Sequence, residues 1–586
     1  NPGRSRRPGF FADRPLPLFG ADPAHAIATH VLPDRFRIAL EPGDTPAAVR
    51  LKERMLADLS APGTPLADWK QAADLWCASW FWRDDRLTSG VYADVLGSLT
   101  GRPGALAAGQ RSKVLDRAAA TAQSQRFFHW ELEFPEVFFT PDGRRDPKGG
   151  FDAVISNPPW DVMRADTGAR AERAQTRVDQ TARRRFFRDA QVYRHQGGGH
   201  ANQYQLFIER ALQLVRPGGR VALILPSGVA TDHGSAAVRR ALLDDLDIDR
   251  LIGFDNREVI FPIHRDVRFL LITGTKGRPT ERVVGTFGRS DPAWLDRLPD
   301  AVFDDPPDAR PVVLSRTLLE SWDRDAVVVP WLPRREDVDL LTTIAGSVPR
   351  LSSPTGWGIR FGRELNATDD RHHFVPLGTP GQPRLLTIVE GKHLEPFRVL
   401  VGQATMGVTP ARAGALVDAA RSFERARLAY RDVASATNRV TLIAALLPAG
   451  TISTHTVFCA KSPLGDDAQH CLLGLLNSLV ANYLVRLQVT THVTCALMAR
   501  LPVPRPASRS PEFSQLAALA RSLTGTGVAG HDAAYARINA IAAHLYGLTR
   551  SQYEHVLSTF PLIPSPVIAA CAAAYGQATE TQSAQR

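Results

Sequence analysis

The chain has 586 residues, 44% of them hydrophobic and 22% charged, a composition ordinary for a folded, water-soluble protein and a length sufficient for about three or four domains. Its formal charge of +10, from 70 Lys and Arg against 60 Asp and Glu, favours a polyanionic partner. Five cysteines, Cys77, Cys459, Cys471, Cys495 and Cys571, lie far apart with no Cys-x-x-Cys pair, which excludes a zinc ribbon and a disulfide framework and fits a cytoplasmic location.

Residues 1–148 read as a mostly helical N-terminal region. A Pro/Arg-rich start gives way to helix-like spacing at 47–59 and 69–82, with Trp76, Trp80 and Trp82 as core residues. From 149 to 280 the pattern becomes strand-helix-strand. The apolar run Phe151-Asp152-Ala153-Val154-Ile155-Ser156 predicts a strand and leads directly into Asn157-Pro158-Pro159-Trp160. A helix-like run from Asn202 ends at the turn Pro217-Gly218-Gly219, followed by a strand at 221–225 and the turn Pro226-Ser227-Gly228. Helix, turn and apolar strand in that order are an α/β crossover. A late strand is expected at 267–273. Residues 281–339 read as a linker around a proline- and Asp-rich passage at 291–312. Residues 340–510 read as a further α+β domain. Its longest apolar stretch, 472–487, is interrupted by Asn477, Ser478, Asn482 and Arg486, short of the roughly 20 apolar residues of a membrane span. Residues 511–586 read as a C-terminal helical region whose Ala-rich tail from Pro564 is frayed.

Asn157-Pro158-Pro159-Trp160 carries the chemistry. Conjugation with the ring makes the exocyclic amine of adenine a poor nucleophile, so an enzyme must accept both amino hydrogens while the nitrogen lone pair develops. The Asn157 side-chain oxygen and the Pro158 carbonyl are two such acceptors, and the rings of Pro158 and Pro159 fix φ and stiffen the loop. Trp160 offers a face on which a base can stack. A base inside a duplex has to be flipped out first, at a cost of a few kcal/mol, which stacking worth roughly 1–3 kcal/mol offsets. The competing reading is a Pro-rich turn whose Trp packs. Downstream, nine Arg face four acidic residues between Arg164 and Arg194, with Phe186, Phe187 and Tyr193 interleaved. Arg183, Arg184, Arg185 and Arg188 are candidates for phosphate contacts that position DNA without reading it, or else for a solvated helix face.

The flanking residues His129-Trp130-Glu131-Leu132-Glu133-Phe134-Pro135-Glu136-Val137-Phe138 and Gly149-Gly150-Phe151-Asp152 resemble the approach to this motif in large adenine-N6 DNA methyltransferases. The relatives are type IIG restriction-modification enzymes and the methylases of BREX-type phage-defence systems. Phe254-Asp255-Asn256-Arg257, Ile260-Phe261-Pro262-Ile263-His264-Arg265, Glu390-Gly391-Lys392, Leu501-Pro502-Val503-Pro504 and Leu545-Tyr546-Gly547-Leu548 are similar to segments of the same group, so the likeness covers roughly residues 125 to 565. It implies an α/β fold: a partial Rossmann-like methyltransferase sheet at 149–280, an α+β target-recognition domain at 340–510 and C-terminal helices. It implies S-adenosylmethionine as cofactor and double-stranded DNA as partner, within a restriction-modification or phage-defence system. It also implies that Phe261 contacts the flipped adenine opposite Trp160, with core packing the alternative for that ring; beside it, His264 followed by Arg265 is a candidate phosphate contact. A structural His264 at a strand start is the alternative use of that segment.

One departure matters. The family carries an Asp-Pro-x-x-Gly-x-Gly loop whose glycines let the backbone approach the methionine part of the cofactor. Gly97, Gly101 and Gly104 are irregularly spaced around Pro103, and Gly285 and Gly288 lack the acidic and helical context. The cofactor-binding residues are therefore unassigned. The expectation is that the chain is the C-terminal portion of a longer polypeptide or one half of a split enzyme, partnered by an upstream methyltransferase segment or other system subunits. Alone it should bind cofactor poorly. Two other functions stay open: a non-catalytic DNA-specificity subunit, and a protein-glutamine methyltransferase, which uses a similar loop on an amide nitrogen. Glu390 and Lys392, with Asp369 or Asp370 upstream, form half of a nuclease signature, and His372-His373 lack the spacing of a metal pair; neither is expected to bind metal.

Overall fold

Six apolar runs between residues 151 and 315 assemble into one sheet of order β1-β2-β4-β3-β5-β6. They are β1 (Phe151–Ser156), β2 (Val215–Pro226), β3 (Leu246–Asp255), β4 (Arg268–Lys276), β5 (Arg282–Arg289) and β6 (Val312–Ser315). The computed structural model describes residues 31–82, 87–99, 104–161, 170–196, 202–298, 310–378, 384–417 and 422–584. With helices before, between and after these strands, the fold is mixed α/β, as expected. The chain divides into two compact units. One holds Asn1–Leu225, Arg240–Ile248 and Ile272–Thr280; the other holds Pro226–Arg239, Asp249–Leu271 and Glu281–Arg586.

In the first unit, helices Pro46–Leu59 and Pro65–Ser79 both begin with Thr-Pro. The Thr45 and Thr64 hydroxyls accept the amides of Ala48 and Ala67, and proline occupies the first helical position, where its missing N–H costs nothing. Trp76, Trp80 and Trp82 are buried in one cluster with Leu75, Tyr92 and Val95. β1 runs parallel to β2, and among the described residues it is an edge strand, with Ile155 82% exposed. The start of β1 needs glycine: Gly150 has φ 139° and a Cβ there would lie 2.6 Å from the Arg216 amide nitrogen. Pro217-Gly218-Gly219, expected as a turn before the strand, instead lies within β2. Phe151 pairs with Val215 and Ala153 with Arg220, so the ladder resumes after an irregularity that takes up Pro217 to Gly219, with Gly218 at φ 77°.

In the second unit β3 pairs parallel with β5, and β5 antiparallel with β6. The stretch 281–339, expected as a linker, thus contributes two strands and the helix Arg316–Trp322. Val283, Phe287, Val312 and Leu314 are buried, and the proline-rich passage only connects the two strands; residues 299–309 lie outside the described ones.

Residues 340–510 hold an antiparallel two-stranded pair, β10 (Leu394–Glu395) with β11 (Arg398–Val399), and two four-stranded sheets. One has the order β15-β9-β12-β8, from β8 (Val375–Pro376), β9 (Leu386–Val389), β12 (Met406–Val408) and β15 (Thr451–Ser453). The other, β14-β13-β16-β7, comprises β7 (Phe361–Gly362), β13 (Arg427–Arg431), β14 (Ala444–Leu447) and β16 (Val457–Ala460). A buried ion pair links them. Glu364 receives Arg427 through Nε at 2.7 Å and Nη2 at 2.6 Å, the Ser422 hydroxyl at 2.8 Å and the Ser453 amide at 2.7 Å. Its side chain and that of Arg427 are 0% and 2% exposed.

The apolar stretch 472–487 is two helices, Asp466–Leu476 and Leu479–Arg486. The break is built by Asn477, whose side chain bonds both backbone groups of Ala444, and by Ser478, whose hydroxyl caps the second helix. No helix among the described residues is long and apolar enough to cross a membrane. The tail expected to fray is the helix Ser565–Ala584, because Cys571 and Tyr575 are buried and Tyr575 stacks on His544 at 4.1 Å.

Candidate active site

β1 and β2 are parallel, so their carboxyl ends share one edge of the sheet, where open α/β sheets place their ligands. Asn157-Pro158-Pro159-Trp160 leaves the end of β1 at that edge. Pro158 is buried and anchors the loop, while Asn157 and Pro159 are exposed. Neither the Asn157 side chain nor the Pro158 carbonyl is engaged by another group among the described residues. The half-buried Trp160 donates its indole N–H to the Ile224 carbonyl of β2 at 3.3 Å, which fixes its ring against the sheet. The loop thus holds two acceptors that are unengaged among the described residues, beside an aromatic ring that is already oriented, an arrangement able to receive a planar amine.

Phe261 belongs to the second unit, on the loop between β3 and β4. That loop is organised by Asn256, which is fully buried. Its Oδ1 accepts the Phe261 amide at 2.8 Å, and its Nδ2 donates to the carbonyls of Phe261 at 3.0 Å and Ile263 at 3.3 Å. Phe261 is half-buried and packs edge-on against Phe269 at 4.9 Å. Arg265 and His264 are exposed. Sequence reasoning used Asn256 only as a mark of family likeness. Its clamp depends on the loop folding back onto one side chain, and a buried Asn between a strand and a Phe-Pro pair was the only available sign. Asn256→Ala is expected to destabilise the second unit by roughly 1–3 kcal/mol, since it strands the Phe261 amide. Urea unfolding followed by tryptophan fluorescence measures it.

The Arg-rich segment forms the helix Arg170–Asp189. Its side chains divide between two jobs. Arg185 is half-buried and donates to the backbone carbonyls of Trp80 and Trp82, while Phe186 packs edge-on with Trp76 and Trp80 at 6.0 and 6.2 Å. Arg183 shares Gln125 Oε1 through Nε and Nη2 at 3.2 and 3.1 Å, and Arg188 reaches Asp189 at 2.9 Å. Arg183, Arg184 and Arg188 are exposed.

For the methionine end of S-adenosylmethionine, Gly97, Gly104 and Gly285 do not fit. Gly97 lies inside the helix Ser89–Leu99. A Cβ on Gly104 would lie 2.8 Å from the Asp94 carboxylate, and one on Gly285 would lie 2.6 Å from the Phe287 ring. These positions are packed by their own neighbours, and none opens a strand-to-helix turn; Gly101 lies outside the described residues. Nor is there a metal-binding group of His, Cys, Asp and Glu among the described residues. Glu390 pairs with Lys392 at 2.6 Å, and the rings of His372 and His373 lie 3.7 Å apart at a tilt of 49°. The five cysteines are free. Burial pushes the thiols of Cys77, Cys459, Cys471 and Cys571 up to about 12, which keeps them protonated and unreactive.

Residues 105–261 match the Eco57I restriction-modification methylase family, a stretch that includes both the Asn157 loop and Phe261. Among curated proteins none matches the chain. Solved structures that it resembles include the type IIL restriction-modification enzyme MmeI in complex with DNA, at 9% identity and a TM-score of 0.42, over 80% of this chain and 64% of that one. The type IIG restriction endonuclease BpuSI matches at 11% identity and a TM-score of 0.27, over 84% and 66%. A nuclease-deletion mutant of the type ISP restriction-modification enzyme LlaGI, in complex with a DNA substrate mimic, matches at 11% and 0.40, over 74% and 40%. The chain therefore spans less than two thirds of the length of each of these relatives.

Proposed function

We propose, from the Eco57I-type restriction-modification methylase domain at residues 105–261, that this protein takes part in site-specific N6 methylation of adenine in double-stranded DNA. The system would be one of restriction-modification or phage defence, working in the cytoplasm with S-adenosylmethionine as methyl donor. The observation that carries the reading is the pair of acceptors at Asn157 and Pro158, unengaged among the described residues, beside the tethered Trp160. The Asn157 oxygen and the Pro158 carbonyl would accept the two amino hydrogens, leaving the lone pair of the amine to form the N–C bond as the donor's S–C bond breaks, with one amino proton then passing to solvent. Pro159 keeps the acceptors from drifting, and Trp160 stacks on the extruded base. The exposed Arg183, Arg184 and Arg188, with Arg265, are assigned to backbone phosphates; Arg185 serves the helix's own attachment. A methylsulfonium is already a strong electrophile, so neither a metal nor a strong general base is required of these residues.

Gly97, Gly104 and Gly285 do not supply a cofactor cradle, which favours a second reading as a DNA-specificity subunit without catalysis. Transfer of labelled methyl groups to duplex DNA, with the chain alone and with an upstream glycine-loop segment supplied, separates the two. Transfer only in the joined form supports a split or longer methyltransferase. Absence of transfer in both forms, with duplex binding intact, supports the specificity subunit. Labelling of a release-factor-like protein instead of DNA would move the acceptor from adenine to glutamine.

A further inference from the structure

A cavity of about 220 Å³ opens in the second unit between the start of β4 and the helices beyond residue 335. It is lined by Arg268, Arg334 and Arg486 against one carboxylate, Asp337. That carboxylate is already committed: Oδ1 takes the Tyr483 hydroxyl and His555 Nε2, and Oδ2 takes the Arg334 amide at 2.8 Å. Arg486 spends its donors on protein oxygens, at Thr441, Thr559 and Arg439, yet its charge stays in place. Burial and the neighbouring Arg268 charge bring Arg486 down to about 10, still fully protonated at neutral pH. Arg268 differs. Its Nε is held by Asp255 at 2.8 Å and its guanidinium lies 4.8 Å from the Trp331 ring centroid, with the side chain only 17% exposed. Nη1 and Nη2 have no partner among the described residues. Two unengaged donors that reach the solvent of the cavity beside a second cation, on a side chain otherwise held in place, are an arrangement that an oxyanion would complete.

We propose that this cavity takes a phosphodiester of duplex DNA, with Arg268 Nη1 and Nη2 as a fork on two phosphate oxygens. Asp255 and Trp331 hold the fork in its plane, and Arg486 supplies charge without a hydrogen bond. The site deepens the DNA reading above and rests on it for the source of the phosphate.

The test is the salt dependence of binding of the full chain to a fluorescent duplex, with Arg268→Gln and Arg268→Lys. Loss of one phosphate contact should reduce the slope of log K against log[salt] by about 0.9. Arg268→Gln should show that reduction, while Arg268→Lys, which keeps the charge, should retain most of the slope and bind severalfold more weakly. Inorganic phosphate is the second probe: it should raise the melting temperature of the wild-type chain above that in chloride of equal ionic strength, and should not do so for Arg268→Gln. An unchanged slope in Arg268→Gln overturns the proposal. So does a phosphate-induced shift without a slope change, which would assign the cavity to a free oxyanion. If Arg268→Gln does not fold, the lysine variant and the wild-type phosphate shift decide, and absence of that shift overturns the site. Methyl transfer is measured separately, so a chain that binds through Arg268 but never methylates would refute the catalytic reading and leave this one standing.

Discussion

Asn157→Ala is expected to lower methyl transfer by about 10²–10³-fold, the size of effect seen when one preorganised hydrogen-bonding group is removed from a site of developing charge. Duplex binding should be unaffected. The separation follows from the geometry. Asn157 is exposed at the end of β1 and bonds to nothing else among the described residues, so its loss removes an acceptor for the amine and no support for the fold. Its unfolding free energy should stay within about 0.5 kcal/mol of wild type. Single-turnover methylation of duplex DNA, with gel-shift binding and thermal unfolding on the same samples, measures all three quantities. Turnover retained in the variant would overturn the assignment of Asn157.

Glu364→Gln should be the most damaging substitution for stability among those considered, by roughly 3–5 kcal/mol, because it leaves Arg427 charged and unpaired in the interior. That is a large fraction of the roughly 5–15 kcal/mol that holds a typical domain together. The effect also has a pH signature. Burial alone would raise the Glu364 carboxyl; the Arg427 guanidinium, with the Ser453 amide and Ser422 hydroxyl, overcomes it and holds the group below the ordinary glutamate range. A lowered folded-state value means the contribution is fully present above the unfolded value of about 4.3 and is lost as pH falls through the folded one. Wild-type stability should therefore decline on acidification past that point, and the decline should be shallower in Glu364→Gln. Urea unfolding at neutral pH and at a series of acid pH values tests both the size and the shape.

How much of this was visible beforehand depended on the range of the interactions. The strand before Asn157, the late strand at β4 and the buried tryptophans were legible because each rests on local periodicity and on where apolar side chains must go. The extent of β2 was not, since Pro217-Gly218-Gly219 carries strong turn chemistry and only the partner strand shows that pairing resumes beyond it. Residues 281–339 misled for a related reason: prolines and aspartates in the connection outweighed two short strands whose burial comes from their neighbours. The Glu364–Arg427 pair joins residues 63 apart, and no local pattern announces such a partner. The two open acceptors could be named in advance because the chemistry of an amine dictates them. The Asn256 clamp and the unengaged fork of Arg268 required coordinates.

β1 has a consequence for the protein in a tube. One side of this strand pairs with β2, and among the described residues the other side of the strand, which includes the exposed Ile155, has no pairing strand. An uncovered strand of this kind is a template for another chain's strand. Asp152, the charge on β1 that could discourage such an approach, is held at 2.7 Å by Arg216, so the opposing force is chiefly the repulsion between molecules that each carry +10. Salt screens that repulsion, with a Debye length near 10 Å at about 0.1 M. Concentrated stocks should thus clump more readily as ionic strength rises, the reverse of the usual remedy of adding salt to keep a basic DNA-binding protein in solution.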